Sequence, residues 1–252
     1  MSIEGKIAIV TGGANGIGFC TARKLLRNGA KAVALLDLSD SGGESAAADL
    51  NNEFGKDRAI FIACDVSKNE QFQDTFKKAV KALGGLEILV NNADVTNETD
   101  FMKTIDVNVT SVIRATLLGI QQMQKDLGGK GGAIVNISSL AGLYAAPQLP
   151  VYSATKHAVV SFSRSFAESY QIEKTGIRVI TLCPGLTETA LTVDSPNKLL
   201  SRVMKADFVK TLDQLSIQTV FPFISPYVVA QGLMSILRVA ESGSIWVIEN
   251  GR

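Results

Sequence analysis

The sequence predicts an α/β fold, a parallel sheet with helices packed on both faces. Three observations carry that prediction. Short apolar runs of strand length alternate with helical patterns along the whole chain. The first run breaks into a glycine-rich turn that opens a helix. Polar residues gather where the runs end, at the edge where an open parallel sheet binds its ligands. With 252 residues and neither linker nor internal repeat, residues 1–252 are expected to form a single domain.

Lys6-Ile7-Ala8-Ile9-Val10-Thr11-Gly12 reads as a buried parallel strand. Gly12-Gly13-Ala14-Asn15-Gly16-Ile17-Gly18 follows, and then Phe19, Ala22, Leu25 and Leu26 recur at helical spacing. A strand, a glycine turn and a helix start bring unpaired N–H groups and the helix dipole together, which suits an anion. The spacing is G-x-x-x-G-x-G, so the commoner dinucleotide fingerprint does not apply literally. Ala32 to Leu36 is the second strand, and it ends in Asp37. A carboxylate about 20 residues past the glycines can take the hydroxyls of an adenosine ribose; the lesser alternative is that Asp37 caps a helix. Asn15 and Leu38, placed to meet a 2′-phosphate, are not basic. A carboxylate about 4 Å from a phosphate costs a few kcal/mol at an intermediate dielectric, so NAD is favoured over NADP.

Glu44 to Phe54 reads as a surface helix, and Ala59 to Cys64 as the third strand, closed by Asp65-Val66. Ser67 is placed to cap the next helix, with Glu70 completing a capping box and Phe72, Phe76 and Val80 facing inward. Leu86 to Val90 is the fourth strand, ending in Asn91-Asn92-Ala93-Asp94. Thr104 to Met123 reads as one long, mostly apolar helix that carries Asn108. A loop with Gly128, Gly129, Gly131 and Gly132 leads into the fifth strand, which stops at Ser138-Ser139. A long helix opens at Pro150-Val151-Tyr152, and Arg178 to Leu182 is the sixth strand, running into Pro184-Gly185 and Thr187-Glu188-Thr189. Residues 190–223 read as irregular and apolar, Val228 to Val239 as the last helix, and Ile245 to Ile248 as the seventh strand.

Charge and cysteine content exclude several classes. Lys and Arg total 25 against 24 Asp and Glu, which gives no excess charge for nucleic acid or an anionic membrane. The apolar runs are too short to span a bilayer, and no basic segment precedes an apolar one as in a secretory leader. A cytoplasmic protein is expected. Cys20, Cys64 and Cys183 are odd in number and far apart, and His157 is the single histidine, so no metal site is expected.

Tyr152 and Lys156 stand one helical turn apart and leave the same face. A phenol has a pKa near ~10, and bringing it to neutrality takes about 4 kcal/mol of preferential stabilisation of the phenolate. A nearby ammonium in a partly dry site can supply attraction of that order. Ser139 is a neutral donor suited to a developing alkoxide. Glycine turn, Asp37, Asp65, Asn91, Ser139, Tyr152 and Pro184-Gly185 all fall at strand ends, so they would line one crevice.

These residues resemble the short-chain dehydrogenase/reductase family in order and spacing. The match rests on Thr11-Gly12-x-x-x-Gly16-x-Gly18, Asp65, Asn91-Asn92-Ala93, Asn108, Ser139, Tyr152-x-x-x-Lys156 and Pro184-Gly185. Within the family the chain looks most like the branch of 15-hydroxyprostaglandin dehydrogenase and the insect alcohol dehydrogenases, from Asn136 to Leu143 and from Gly243 to Trp246. The resemblance implies a Rossmann-type doubly wound sheet of about seven strands and NAD-dependent alcohol oxidation. It implies that Tyr152 is the general acid/base, that Lys156 lowers its pKa and binds the nicotinamide ribose, and that Ser139 holds the substrate oxygen. Asn108 would anchor a water in a proton relay. Gly12, Asn15, Gly16, Ile17 and Gly18 would border the pyrophosphate, Asp37 and Leu38 the adenosine ribose, and Asp65 and Val66 the adenine. Asn91 and Ala93 would lie by the cofactor ribose, and Pro184, Gly185, Thr187 and Thr189 by the carboxamide.

One position departs from the pattern: the family reads Asn-Asn-Ala-Gly, and here the last residue is Asp94. A backbone with positive φ is expected there, and a carboxylate that weakens dinucleotide binding by repelling the pyrophosphate. For substrate, residues 190–223 with Ser139, Leu140, Leu143, Tyr144, Gln148, Leu149, Tyr152, Gly185 and Leu191 could line a pocket for an apolar alcohol. The apolar residues among them could instead only pack on the sheet. The helices from Thr104 and Val151 resemble those that pair subunits in the family, so a homodimer or homotetramer is expected. Two rivals stay open: a silent dinucleotide- or lipid-binding protein of the same fold, and an NADPH-dependent carbonyl reductase.

Overall fold

The computed structural model describes residues 1–169, 172–217 and 223–249. Seven strands form one parallel sheet: β1 (Ile7–Thr11), β2 (Ala32–Asp37), β3 (Ala59–Ala63), β4 (Ile88–Asn91), β5 (Gly132–Ile137), β6 (Ile177–Pro184) and β7 (Ile245–Ile248). Their order across the sheet is β3-β2-β1-β4-β5-β6-β7. The order reverses between β1 and β4, and at such a switch point a crevice opens beyond the carboxyl ends of the strands.

Side chains of a strand alternate between faces, so one strand feeds two cores. Ala8 and Val10 of β1 join Val33, Leu35, Val90 and Val135 on one face. Ile7 and Ile9 join Leu36, Leu89 and Ile134 on the other. The first face is covered by α1 (Gly16–Arg27), α2 (Gly43–Phe54) and α10 (Pro226–Val239), which bring Leu25, Leu50 and Leu233. The second is covered by α3 (Asn69–Leu83) and α5 (Ser111–Met123), with Phe72, Phe76 and Leu118. Each of these large side chains, once dry, contributes about 1.5–3 kcal/mol. Among the described residues, no helix is long and apolar enough to cross a membrane.

Three local expectations are corrected. The helix predicted to begin at Thr104 begins at Phe101 as α4 (Phe101–Ile105) and passes through a π turn, Asp106–Thr110, before α5. That turn carries Asn108, and such bulges favour functional sites. Ser67 does not cap α3: Lys68 stands at that position, and the Ser67 hydroxyl donates to Asp65 Oδ1 at 2.6 Å. The segment from 190 is not irregular but holds α8 (Ala190–Asp194), a 3-10 turn (Ser195–Lys198) and α9 (Arg202–Ile217). Phe221 lies outside the described residues. The remaining helices are α6 (Pro150–Ser169) and α7 (Ile172–Thr175).

Candidate active site

At the carboxyl edge of the sheet lies a cavity of about 830 Å³. Its floor at one end is the glycine turn. Gly12 and Gly16 hold φ values of 61° and 52°, where a side chain would be strained. A Cβ on Gly12 would also stand 2.9 Å from the Ala93 Cα. Asn92 Nδ2 donates to the carbonyls of Thr11 and Gly12 at 3.1 and 3.0 Å, and Thr11 Oγ1 accepts the N–H groups of Asn92 and Ala93. The loops after β1 and β4 are thus laced together, a role that the motif at 91–93 did not disclose.

Asp37 closes β2 beside that turn. Its Oδ2 accepts the Ala14 N–H at 3.0 Å and its Oδ1 the Leu38 N–H at 2.8 Å. Asp65 sits farther along. Burial opposes its charge, but the Ser67 hydroxyl and N–H, with Lys68 and Lys103 nearby, hold its carboxyl below the usual range.

The cavity wall includes Gly12, Asn15, Gly16, Ile17, Asp37, Leu38, Asp65, Val66, Ala93, Pro184, Gly185, Thr187 and Thr189 of the predicted cofactor set. Gly18, Asn91 and Lys156 are not on it. Gly18 is needed for close packing, since a Cβ there would lie 2.0 Å from the Gly12 carbonyl oxygen. The Asn91 side chain points into the sheet, donating to Asn136 Oδ1 at 2.8 Å and Thr116 Oγ1 at 3.2 Å. Of the predicted substrate set, Ser139, Leu140, Tyr144, Leu149, Tyr152, Gly185 and Leu191 line the wall, while Leu143 and Gln148 do not. Phe208, within the apolar 190–223 segment expected to line the pocket, is on the wall, and so is Lys103, which was not anticipated.

Tyr152 is brought to the wall by the first turn of α6. Two N–H groups of that turn, Val151 and Tyr152, donate to the Glu98 carboxylate at 2.8 and 2.9 Å. Glu98 is 1% exposed, and a carboxylate at a helix start is well placed against the dipole. Asn108 clasps the loop between β4 and α4. Its Oδ1 accepts the Val95 N–H at 3.0 Å, and its Nδ2 donates to the Val95 carbonyl at 2.9 Å and to Thr155 Oγ1 at 3.2 Å. The side chain expected to anchor a water is thus taken up as a clamp. Ser139 Oγ accepts the Ala141 N–H at 3.1 Å and caps a 3-10 turn, Leu140–Gly142.

The largest departure concerns Asp94. Its carboxylate is turned to Tyr152 and Lys156 rather than to the glycine turn. Asp94 Oδ2 accepts the Tyr152 hydroxyl at 3.0 Å and pairs with Lys156 Nζ at 3.0 Å. Lys156 Nζ, 2% exposed in its side chain, also donates to the Ile137 carbonyl at 3.2 Å. The backbone at Asp94 is ordinary: Asp57 is the one non-glycine with positive φ among the described residues. A phenolate about 3 Å from a carboxylate meets several kcal/mol of repulsion at an intermediate dielectric. Burial, then the charge and hydrogen bond of Asp94, hold the Tyr152 phenol well above its ordinary pKa, with the Ser139 hydroxyl pulling the other way. In this arrangement Lys156 is paired with Asp94, and the phenol lies above its ordinary pKa rather than below it.

The three cysteines are free. Burial pushes the Cys64 thiol up to about 11.

A family model described as short chain dehydrogenase matches residues 6–199. The chain belongs to that family. Among this short chain dehydrogenase's relatives, 15-hydroxyprostaglandin dehydrogenase [NAD(+)] of Homo sapiens is 40% identical, over 100% of this chain and 94% of the relative. Its counterpart in Mus musculus is 40% identical over 94% and 87% of the two chains. Alcohol dehydrogenase 1 of Ceratitis cosyra is 28% identical over 100% and 94%.

Proposed function

We propose that this chain is an NAD-dependent oxidoreductase that moves a hydride between an apolar secondary alcohol, or the matching ketone, and nicotinamide. The observation that carries it is a single cavity with the glycine turn and Asp37 at one end and Ser139 and Tyr152 at the other. The names of the relatives, NAD(+)-dependent or alcohol dehydrogenases, support it.

The residues fit a dinucleotide. Gly12 leaves no room for a Cβ and Gly16 has a backbone that disfavours one, as a close-approach phosphate cradle requires. Asp37 keeps lone pairs for ribose hydroxyls beyond its two N–H donors. When bound, NAD supplies the two-electron hydride acceptor. Asn15 to Ile17 border the pyrophosphate in this reading, Asp65 and Val66 the adenine, Lys156 the nicotinamide ribose, and Thr187 and Thr189 the carboxamide. Ser139 orients the substrate oxygen, and Tyr152 exchanges the proton with it. Asn108 acts by fixing the 94–96 loop.

Leu140, Leu149, Leu191 and Phe208 make the substrate end apolar, which suits a steroid, terpenoid, oxylipin or fatty alcohol. Phe101, Met102, Ile105 and Leu117 are exposed on α4 and α5, and a second copy of the chain covers them in a homodimer. Free thiols at Cys20, Cys64 and Cys183 suit the reducing cytoplasm. The contact of Asp94 with Tyr152 favours one rival, a silent dinucleotide-binding protein.

The test is incubation with NAD and a panel of secondary alcohols of rising apolar bulk. Growth of the reduced-nicotinamide absorbance, strongest with the bulky members, is expected. Silence across the panel with saturable NAD binding would establish the rival.

A further inference from the structure

We propose that Asp94 is a positioning residue that keeps Tyr152 protonated and engages the Lys156 ammonium, so that the site rests as a proton donor facing a carbonyl. The inference rests on the dehydrogenase reading above. Where the family pattern carries glycine, this chain places a carboxylate directly between the phenol and the ammonium. One oxygen, Oδ2, takes both contacts at 3.0 Å. Such a carboxylate cancels the positive charge that would otherwise draw the proton from the phenol, and it adds a negative charge beside the phenolate.

The geometry is held in place. Asn108 grips Val95, the residue after Asp94, by both backbone groups. Glu98 holds the first turn of α6, and with it Tyr152, against the same loop. Lys156 is fixed from behind by the Ile137 carbonyl. Asp94 Oδ1 is buried and has no hydrogen-bond partner among the described residues, so the carboxylate keeps an unmet demand for a donor on the loop it shares with the cavity wall.

Among the described residues, Asp94 is the charged group that acts on the phenol. From the loop after β4, Glu98 is the second carboxylate, and it is committed to two N–H donors. From α4, Lys103 lines the cavity, with Asp65 nearby. Glu249, after β7, lines it too. From β6, Cys183 is a buried thiol whose ionisation burial opposes. On α6 itself, His157 is turned onto the Ser153 carbonyl at 2.9 Å. Ser139 contributes a neutral hydroxyl.

The functional consequence is directional. Reduction of a ketone uses the phenol's proton for the carbonyl oxygen while the carbonyl carbon takes hydride from the reduced dinucleotide, and the protonated phenol is the form on hand. Oxidation of an alcohol needs the phenolate to accept the hydroxyl proton, so it gains speed only as pH rises.

The experiment reads the phenol directly, by ultraviolet absorbance of tyrosinate during a pH titration. Wild type, Asp94→Asn and Asp94→Gly are each titrated against the same protein carrying Tyr152→Phe, which isolates one phenol among the four. Asp94→Gly restores the residue of the family pattern, so it stands beside Asp94→Asn if the latter is poorly folded. The midpoint is expected to fall by at least about one pH unit in both variants, about tenfold in phenolate at a given pH. The acid limb of NAD-dependent alcohol oxidation should move down by the same amount. Midpoints that stay with wild type would overturn the inference, whatever the turnover. A midpoint that falls in a protein that oxidises no alcohol would uphold it and count against the dehydrogenase reading alone.

Discussion

Of the carboxylates at the carboxyl edge of the sheet, Asp37 and Asp94 have surroundings that differ in kind. Asp37 is met by neutral backbone donors, the N–H groups of Ala14 and Leu38. Asp94 is met by a phenol and an ammonium. The first arrangement leaves a carboxylate with lone pairs to spare beyond two backbone donors. The second alters the very group expected to move the proton. A carboxylate at a strand end therefore has no fixed meaning; its donors decide whether it receives a ligand or retunes a neighbour.

The contrast can be broken at Lys156 first. Lys156→Ala should cost about 3 kcal/mol in urea unfolding, because Asp94 is left charged and largely buried without its partner. Asp37→Ala should cost no more than about 1 kcal/mol in the same assay, since its N–H donors can turn to water. Equal losses at the two sites would erase the distinction drawn here.

Ligand binding sharpens the comparison from the other side. Asp37→Ala should weaken NAD binding about tenfold, by titration of protein fluorescence or calorimetry, and bring NADP level with it. Asp94→Gly should leave NAD affinity within about threefold of wild type, because the carboxylate lies at the tyrosine and not at the glycine turn.

A smaller effect comes from alkaline pH. Cys64 lines the cavity near Asp65, and its thiol rises from 9.0 to about 11 in the folded chain. Below the unfolded pKa both states keep the proton, and the contribution to stability is complete. Between pH 9 and 11 the unfolded thiol ionises and the folded one does not, so stability falls, by at most about 2.5 kcal/mol. Cys64→Ala should remove that part of the alkaline decline in unfolding measured across this range. At the small end, Ser67→Ala should cost about 1 kcal/mol by releasing Asp65 from its shortest hydrogen bond.

Much of this fold was legible because its signals are periodic. Strand-length apolar runs located all seven strands, and Gly12, Asp37, Cys64, Asn92, Ile137, Pro184 and Glu249, each at a strand's end or one residue past it, line one cavity. What escaped were features set by particular side-chain contacts, near or far in sequence, that periodicity does not encode. Ser67 carries the pattern of a capping box, yet Asp65, two residues away, takes its hydroxyl first. Asn91 sits beside the site in sequence, but the alternation of β4 turns its side chain into a buried polar cluster with Asn136 and Thr116. Glu98 left no sequence signal, since its role exists only once α6 docks on it. Asp94 was visible as a departure, but its effect was expected at the cofactor, 58 residues from the tyrosine it contacts.

The central claim is that Tyr152, at the wall of the shared cavity, is the group that exchanges a proton with substrate. The most direct measurement is NAD reduction by an apolar secondary alcohol in wild type and Tyr152→Phe, with NAD binding followed in parallel. Turnover should fall by about 10²–10⁴ while NAD affinity holds, as expected for loss of a general acid/base. Turnover within a few fold of wild type in the phenylalanine variant would contradict the account.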